Sequence, residues 1–446
     1  MCLALTFYLF LFAFTWKQKK IKVKLHKDKN TKWKSMKKIA IIGASHAGVV
    51  CAEKLREFGF KGTINLIDRV PGLPIQKPPL SKGFINYRDA EPNNVYLRSN
   101  EFYESQKIYL MTGSNVRSIK RESKSIILEN GLEINYDILV LAMGANAKLP
   151  VNIPKRTENV YVLRDINDAV RLKEGVLRGK NAVIVGGGYI GLEVASSLRS
   201  VGLTVDLIEI GPRILSRLSS QFVSEYLTSI HQKKGVSFHF SEILEDILYS
   251  NSGQVKAVKL RSGHIIECDL LVFGIGVSPN IVLAKDLGLS VIDGIRVDKK
   301  YLADDDIYAI GDIAFCPERS AKRVESVFNA QFSATVAAAS ITCSPLPAQQ
   351  AYWFWSDQYD LKLQIAGILP EPNNNKLVRS EVVAGKKEGS FSVWSWYQNE
   401  FVCVEALEDV QAYTVGKRIL EQSIDITPEI IKNNSANLKN LLKKVI

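Results

Sequence analysis

Residues 38–68 read KIAIIGASHAGVVCAEKLREFGFKGTINLID, and residues 181–209 read NAVIVGGGYIGLEVASSLRSVGLTVDLIE. In the first stretch a short apolar run enters the glycine turn Gly43-Ala44-Ser45-His46-Ala47-Gly48. An apolar stripe then recurs at Ala47, Cys51, Leu55 and Phe58, and a second apolar run ends in Asp68. The second stretch repeats the design with Gly186-Gly187-Gly188-Tyr189-Ile190-Gly191, a stripe at Ile190, Val194, Leu198 and Val201, and a closing Glu209. Both stripes follow i, i+4, i+8, i+11, the spacing of a helix face. Each stretch therefore reads as a βαβ unit, and the repeat predicts two Rossmann-like domains in one chain.

The glycine turn carries chemistry as well as geometry. Its first glycine permits the tight strand-to-helix turn, its second lets a pyrophosphate approach the backbone, and its third lets the helix close on the strand. Free N–H groups at the helix start then hold phosphate oxygens, and the terminal acid accepts from ribose hydroxyls. Gly43, Gly48 and Asp68 take these places in the first copy, and Gly186, Gly188, Gly191 and Glu209 in the second. Ser45 replaces the middle glycine of the first copy, so phosphate approach is less free there. Two such units predict two dinucleotides. One flavin and one nicotinamide are expected, because a hydride needs both a donor and an acceptor.

Three later segments support that reading. LVLAMG at 139–144 is an apolar strand running into Gly144, with Pro150 marking an exit from the domain. LLVFGIGVSPN at 270–280 has the same form through Gly276 and marks the return, and DIYAIGD at 306–312 ends a third strand in Asp312. Ligands in open α/β sheets bind at such strand ends. The expected fold class is α/β, with two three-layer Rossmann-like domains, the second inserted in the first, and a C-terminal α+β domain. The boundaries fall at 36–147 and 274–343 for the first domain, 148–273 for the second and 344–446 for the third. Leu361, Leu363 and Ile365, then Phe391 and Val393, then Phe401, Val402 and Val404 alternate as in an antiparallel sheet, and a helix is expected from Thr427.

Composition excludes other classes. The chain has 446 residues, 46% of them hydrophobic and 23% charged, the balance of a folded protein rather than a disordered one. Its net charge of +12 is misleading, since eleven lysines and one acid, Asp28, lie between Lys17 and Lys38, leaving about +2 elsewhere. A nucleic-acid footprint would be a basic face on a folded module, so no nucleic acid is expected. The preceding MCLALTFYLFLFAFTW at 1–16 is too short to span a bilayer and lacks the layout of a secretory signal. We read residues 1–35 as an extension upstream of a start at Met36, with a membrane anchor as the less favoured reading and the cytoplasm as the expected location. Six cysteines and five histidines are scattered with no metal-ligand spacing, so no metal site is expected. Cys51 lies on the buried stripe, and His46 stands apart from the other histidines because it sits in the glycine turn.

KPPLSK at 77–82, GGGYIGLE at 186–193, VESV at 324–327 and WFWSDQYD at 353–360 carry a resemblance. From 36 onward the chain resembles the FAD-dependent pyridine nucleotide-disulfide oxidoreductase superfamily, and within it the oxygenase-coupled ferredoxin reductases of the putidaredoxin reductase type. The resemblance implies FAD contacts at Ala47, Lys82, Val116, Arg164, Asp312 and Val327, with Gly43 and Gly48 at the pyrophosphate, where the Ser45 hydroxyl could donate a hydrogen bond. It places the family's ribose acid one position beyond Asp68, at Arg69, which leaves the role of Asp68 open. It also pairs Glu193 with Lys82 near the nicotinamide and puts Trp355 beside the flavin or on the electron exit. Lys82 follows a rigid Pro-Pro turn, which suits a cation fixed near the flavin. Glu209 repels a 2′-phosphate and favours NADH over NADPH. Where disulfide reductases carry a cysteine pair, no C-x4-C occurs, so electrons are expected to leave for a [2Fe-2S] ferredoxin or a rubredoxin. An apoptosis-inducing-factor-like signalling flavoprotein and a monodehydroascorbate-reductase-like enzyme stay open as alternatives.

Overall fold

The computed structural model describes residues 37–86, 95–150, 153, 157–370, 377–434, 438–439 and 441. The reading of residues 1–35 lies outside them.

The first repeat builds a six-stranded sheet. Its strands, in spatial order, are Leu302–Asp304, Ile307–Ala309, Ile138–Leu141, Lys38–Ile42, Thr63–Ile67 and Ile108–Met111, all parallel except the first. Central strands buried on both faces need continuous apolar runs, and Ile39, Ala40, Ile41, Leu139, Val140 and Leu141 are wholly buried. Helix His46–Glu57 packs against helix Val327–Ile341 over this sheet. Chain order reverses on either side of Lys38–Ile42, which opens a crevice at the strands' C-terminal ends.

The second repeat builds five parallel strands, ordered Val236–Phe240, Thr204–Glu209, Asn181–Val185, Leu270–Phe273 and Val160–Tyr161. The duplication runs further than the sequence revealed. After its third strand each unit makes an antiparallel three-stranded excursion, at 116–135 in one and 244–267 in the other, before returning as the strand beside its first. Ala145–Ala147, leaving the first unit, pairs antiparallel with Val277–Pro279, re-entering it. The second domain is thus an insertion closed at its neck by a two-stranded ribbon.

One expected stripe is only half right. Val194 and Leu198 are buried, but Ile190 and Val201 are 46% and 37% exposed. Ile190 sits in the first turn of helix Tyr189–Ser200, where the wall of a cavity replaces the core, and Val201 caps the far end. In the first helix, Ala47, Cys51 and Leu55 are buried and Phe58 is the partly covered C-cap.

The third domain is a five-stranded antiparallel sheet ordered Trp353–Gln358, Leu361–Gly367, Glu400–Leu407, Phe391–Tyr397 and Val378–Ala384. Helices Val410–Glu421 and Pro428–Asn433 cover one face around buried Trp394 and Trp396. Asp409 caps the first of these helices at the Ala412 amide, and Thr427 caps the second at the Ile430 amide.

Candidate functional site: one cavity between two glycine turns

A cavity of about 1000 Å³ runs past the C-terminal ends of both parallel sheets, lined by Gly43, Ser45, Asp68, Gly186, Gly188 and Glu209. Both glycine turns therefore open into a single space.

The two turns are built alike. Gly43 and Gly186 have φ of +108° and +110°, and a Cβ at either would lie 2.2 Å from the Ala142 carbonyl oxygen or 2.6 Å from that of Gly274. A Cβ at Gly48 or Gly191 would lie 1.8 or 2.0 Å from the carbonyl oxygen of Gly43 or Gly186. Gly48 and Gly191 thus set the approach of helix to turn and do not themselves line the cavity, which corrects the expected place of Gly48 at a pyrophosphate. Gly188 has no atom within 4 Å of its missing Cβ, so the middle position faces open space in the second turn. Ser45, its counterpart, has ordinary extended backbone and lines the cavity.

The closing acids also match. Asp68 accepts from the amides of Ala44 and Val70, and Glu209 accepts from those of Gly187 and Gly211 at 2.6 and 2.7 Å. Each carboxylate fixes the second residue of its turn while facing the cavity. Arg213 is spent on the carbonyls of Ile214, Ser216 and Ser219, whereas Arg217 lines the same cavity as Glu209.

Lys82 lies where the turns face one another. The 3-10 turn Pro78–Ser81 delivers its ammonium to Glu193, with Nζ 2.7 Å from Oε2. Glu193 is 2% exposed and accepts also from the Ser81 hydroxyl and, through Oε1, from the Ser356 hydroxyl at 2.7 Å. It stands five residues into helix Tyr189–Ser200, so its carboxylate serves this cluster and not the helix cap. Ser81 and Ser356 were not foreseen, although both lie inside the quoted KPPLSK and WFWSDQYD motifs.

Around the first turn the cavity is rich in cations. Arg164 donates to the Ala145 carbonyl and pairs with Asp312 at 2.7 Å. Close packing, then the charge of Arg164, pulls the Lys77 ammonium down to about 8, and burial, then Lys77, pulls His46 down to about 4. Anionic phosphates would relieve that crowding of positive charge. The open glycine turns, the helix N-termini at His46 and Tyr189 and these cations suit FAD in the first half and NAD(H) in the second.

Gly144, Gly276, Ala47, Val327 and Trp355 line the same cavity. Val116 does not. It begins the antiparallel excursion after strand Ile108–Met111 and packs on the core of the first domain, leaving Thr112 as the cavity residue of that segment. Trp355 stands beside Trp353, with ring centroids 5.6 Å apart, and Phe354 lies 4.6 Å from Tyr189 of the second turn.

Comparison with known proteins agrees with this geometry. Residues 37–334 match the pyridine nucleotide-disulphide oxidoreductase family. The chain belongs to that family. Residues 353–442 match the reductase C-terminal family, which accounts for the third domain. Rhodocoxin reductase of Rhodococcus erythropolis is 36% identical over 410 residues, covering 90% of this chain and 93% of that protein. A rubredoxin-NAD(+) reductase of Pseudomonas putida is 35% identical over 360 residues, 78% of this chain and 93% of that protein. A ferredoxin reductase from Rhodopseudomonas palustris superposes with a TM-score of 0.85 at 33% identity, covering 91% of this chain and 99% of that structure. The matches to rhodocoxin reductase and to the Rhodopseudomonas palustris structure are long enough to take in all three domains.

Proposed function

We propose that the protein is an NADH-dependent flavoprotein reductase that passes electrons through FAD to a small iron-sulfur protein, a [2Fe-2S] ferredoxin in the first place and a rubredoxin in the second. The observation that carries this is the single cavity with both glycine turns opening into it and Lys82–Glu193 between them. The named family relatives, reductases of rhodocoxin, rubredoxin and ferredoxin, support the acceptor class.

Bound FAD would supply an acceptor that takes a hydride's two electrons together and releases them singly. The chain's own residues do the rest. The amides that open helices His46–Glu57 and Tyr189–Ser200 hold the phosphates, and Arg164, Asp312 and Val327 border the first half of the cavity. Lys82 presents a fixed cation that stabilises negative charge developing on the flavin, and Glu193 holds it there. Glu209 meets the ribose of the nicotinamide cofactor and disfavours a 2′-phosphate by like charge. Tyr189 and Phe354 close an apolar wall that keeps water from the transfer, and Trp355 lines the way out for electrons.

Thiol chemistry does not suit this wall. Cys403 is the cavity's cysteine among the described residues, and burial pushes its thiol well above the ordinary range, so it stays protonated and a poor nucleophile. Five unpaired cysteines among the described residues suit a reducing compartment, which supports the cytoplasm as the place of work. Among the described residues no helix is long and apolar enough to cross a membrane.

Anaerobic stopped flow tests the reading. NADH should bleach the flavin rapidly, and an added ferredoxin should reoxidise it and support cytochrome c reduction. Slow bleaching with no preference among protein carriers would overturn it.

A further inference from the structure

Glu193 is the end of a longer chain of hydrogen bonds that the proposed chemistry does not use. His231, on helix Gln221–Lys233 of the second domain, is fully buried. Its Nε2 lies 2.9 Å from the Gln358 side-chain oxygen, and its Nδ1 lies 3.2 Å from the Tyr359 hydroxyl. The Gln358 amide nitrogen donates to the Ser356 hydroxyl at 3.1 Å, and that hydroxyl donates to Glu193. Gln358 and Ser356 are each 1% exposed. The Tyr359 amide also donates to Ser196, which ties the strand to the helix carrying Glu193.

The partners fix the direction of every link. A carboxylate can only accept, so Ser356 must give its one proton to Glu193 and accept from Gln358. The Gln358 oxygen is then left to accept, which requires a proton on His231 Nε2 and leaves Nδ1 to accept from the Tyr359 phenol. Burial holds His231 near 4, in the neutral form that can both donate and accept, and pushes the Tyr359 phenol up to about 12, so it keeps its proton to give. Arg199 and Lys234 lie around Tyr359, and Phe238 packs edge-on to His231.

We propose that His231, Gln358 and Ser356 are positioning residues, a one-way hydrogen-bond chain from the second domain through the third that sets the Glu193 carboxylate and so aims Lys82 into the cavity. Without Ser356 the Oε1 oxygen loses its donor, and the carboxylate is held through Oε2 alone, by Lys82 and the Ser81 hydroxyl. Lys82 follows, because Glu193 is its one carboxylate partner among the described residues. The inference rests on the reductase reading for its effect on rate, but the chain itself can be tested apart from it.

Two measurements decide it. In 15N-histidine-labelled full-length protein, long-range 15N–1H correlation should show His231 neutral with its proton on Nε2, and Gln358→Leu should shift the proton or mix the tautomers. A proton on Nδ1 in the wild type would overturn the proposal whether or not flavin is bound. In stopped flow, Ser356→Ala should keep its flavin and its dependence on NADH concentration yet bleach roughly tenfold more slowly. Ser356→Thr, which keeps the hydroxyl, should recover most of the rate. Bleaching by Ser356→Ala at the wild-type rate would also overturn the proposal. A wild-type flavin that NADH does not bleach would instead bring down the reductase reading, and the tautomer would still settle the chain.

Discussion

Lys82 is 19% exposed and Glu193 2% exposed at their side chains, so the pair has one member at the cavity and one inside the protein. Replacing Lys82 by Ala removes the cation from the cavity while leaving both glycine turns and Arg164–Asp312 in place. The variant should retain FAD and bleach with NADH on the order of 100-fold more slowly in stopped flow, the usual cost of losing one preorganised charge. An unchanged rate would refute the role given to Lys82. Glu209 supports a second prediction. Its carboxylate disfavours a 2′-phosphate, and Arg217 lines the same cavity. Glu209→Ala should narrow the ratio of kcat/KM for NADH over NADPH by roughly tenfold or more. Adding Arg217→Ala should then depress NADPH use more than NADH use. At this scale the sequence showed the residues that a motif isolates, such as Lys82, Glu193 and Glu209. It could not show Ser81, Ser356 or Lys77 as partners, because serines and lysines carry no periodic signal until the fold brings them together. Val116 was misplaced because the excursion that begins there turns away from the sheet edge.

The repeated element can be tested turn by turn. Gly48 and Gly191 occupy equivalent places, and a methyl group at either meets a backbone oxygen that cannot move without separating helix from strand. Gly48→Ala should yield protein depleted of flavin, read as flavin absorbance per chain. Gly191→Ala should keep its flavin and lose bleaching by NADH. Loss of flavin in both, or in neither, would contradict the assignment of one dinucleotide to each turn. Between elements, Glu405 of strand Glu400–Leu407 is wholly buried and accepts from the Ser219 hydroxyl and the Ser220 amide, just before helix Gln221–Lys233. Glu405→Ala strands a buried donor at Ser219 and a half-buried one at Ser220 and should cost about 2 to 6 kcal/mol in denaturant unfolding, at about 1 to 3 kcal/mol for each unsatisfied group. Burial raises the Glu405 carboxyl, so Glu405→Gln, close in shape to the protonated acid, should cost less. The strands of both βαβ units were plain in the sequence because parallel strands buried on both faces are continuous apolar runs. Helix Val410–Glu421 was missed because it packs one narrow face on the third sheet and reads as mixed polar sequence elsewhere.

Across the whole molecule, buried neutral histidines tie stability to pH. His46 lies in the first turn and His231 between the second and third domains, and both are held near 4 against an ordinary value of 6.5, chiefly by burial. The unfolded chain therefore binds more protons than the folded one between those values. Stability from these groups is complete above pH 6.5 and is lost as pH falls toward 4. At pH 5 each should have given up about 2 kcal/mol relative to pH 7, and the losses add because the sites lie in different parts of the fold. Thermal unfolding midpoints should accordingly drop between pH 6.5 and pH 4.5. His231→Gln, which carries an amide that does not titrate, should lower the midpoint at pH 7 and flatten the fall by the share of one group. His46 offers an internal control, since bound FAD would place phosphates beside Lys77 and Arg164, the cations that help hold His46 neutral. Loading the protein with flavin should shift the His46 contribution and leave that of His231 where it was. A fall in the midpoint that His231→Gln leaves as steep as in the wild type would show that His231 is not buried neutral, and the contacts drawn from His231 toward Glu193 would fall with it.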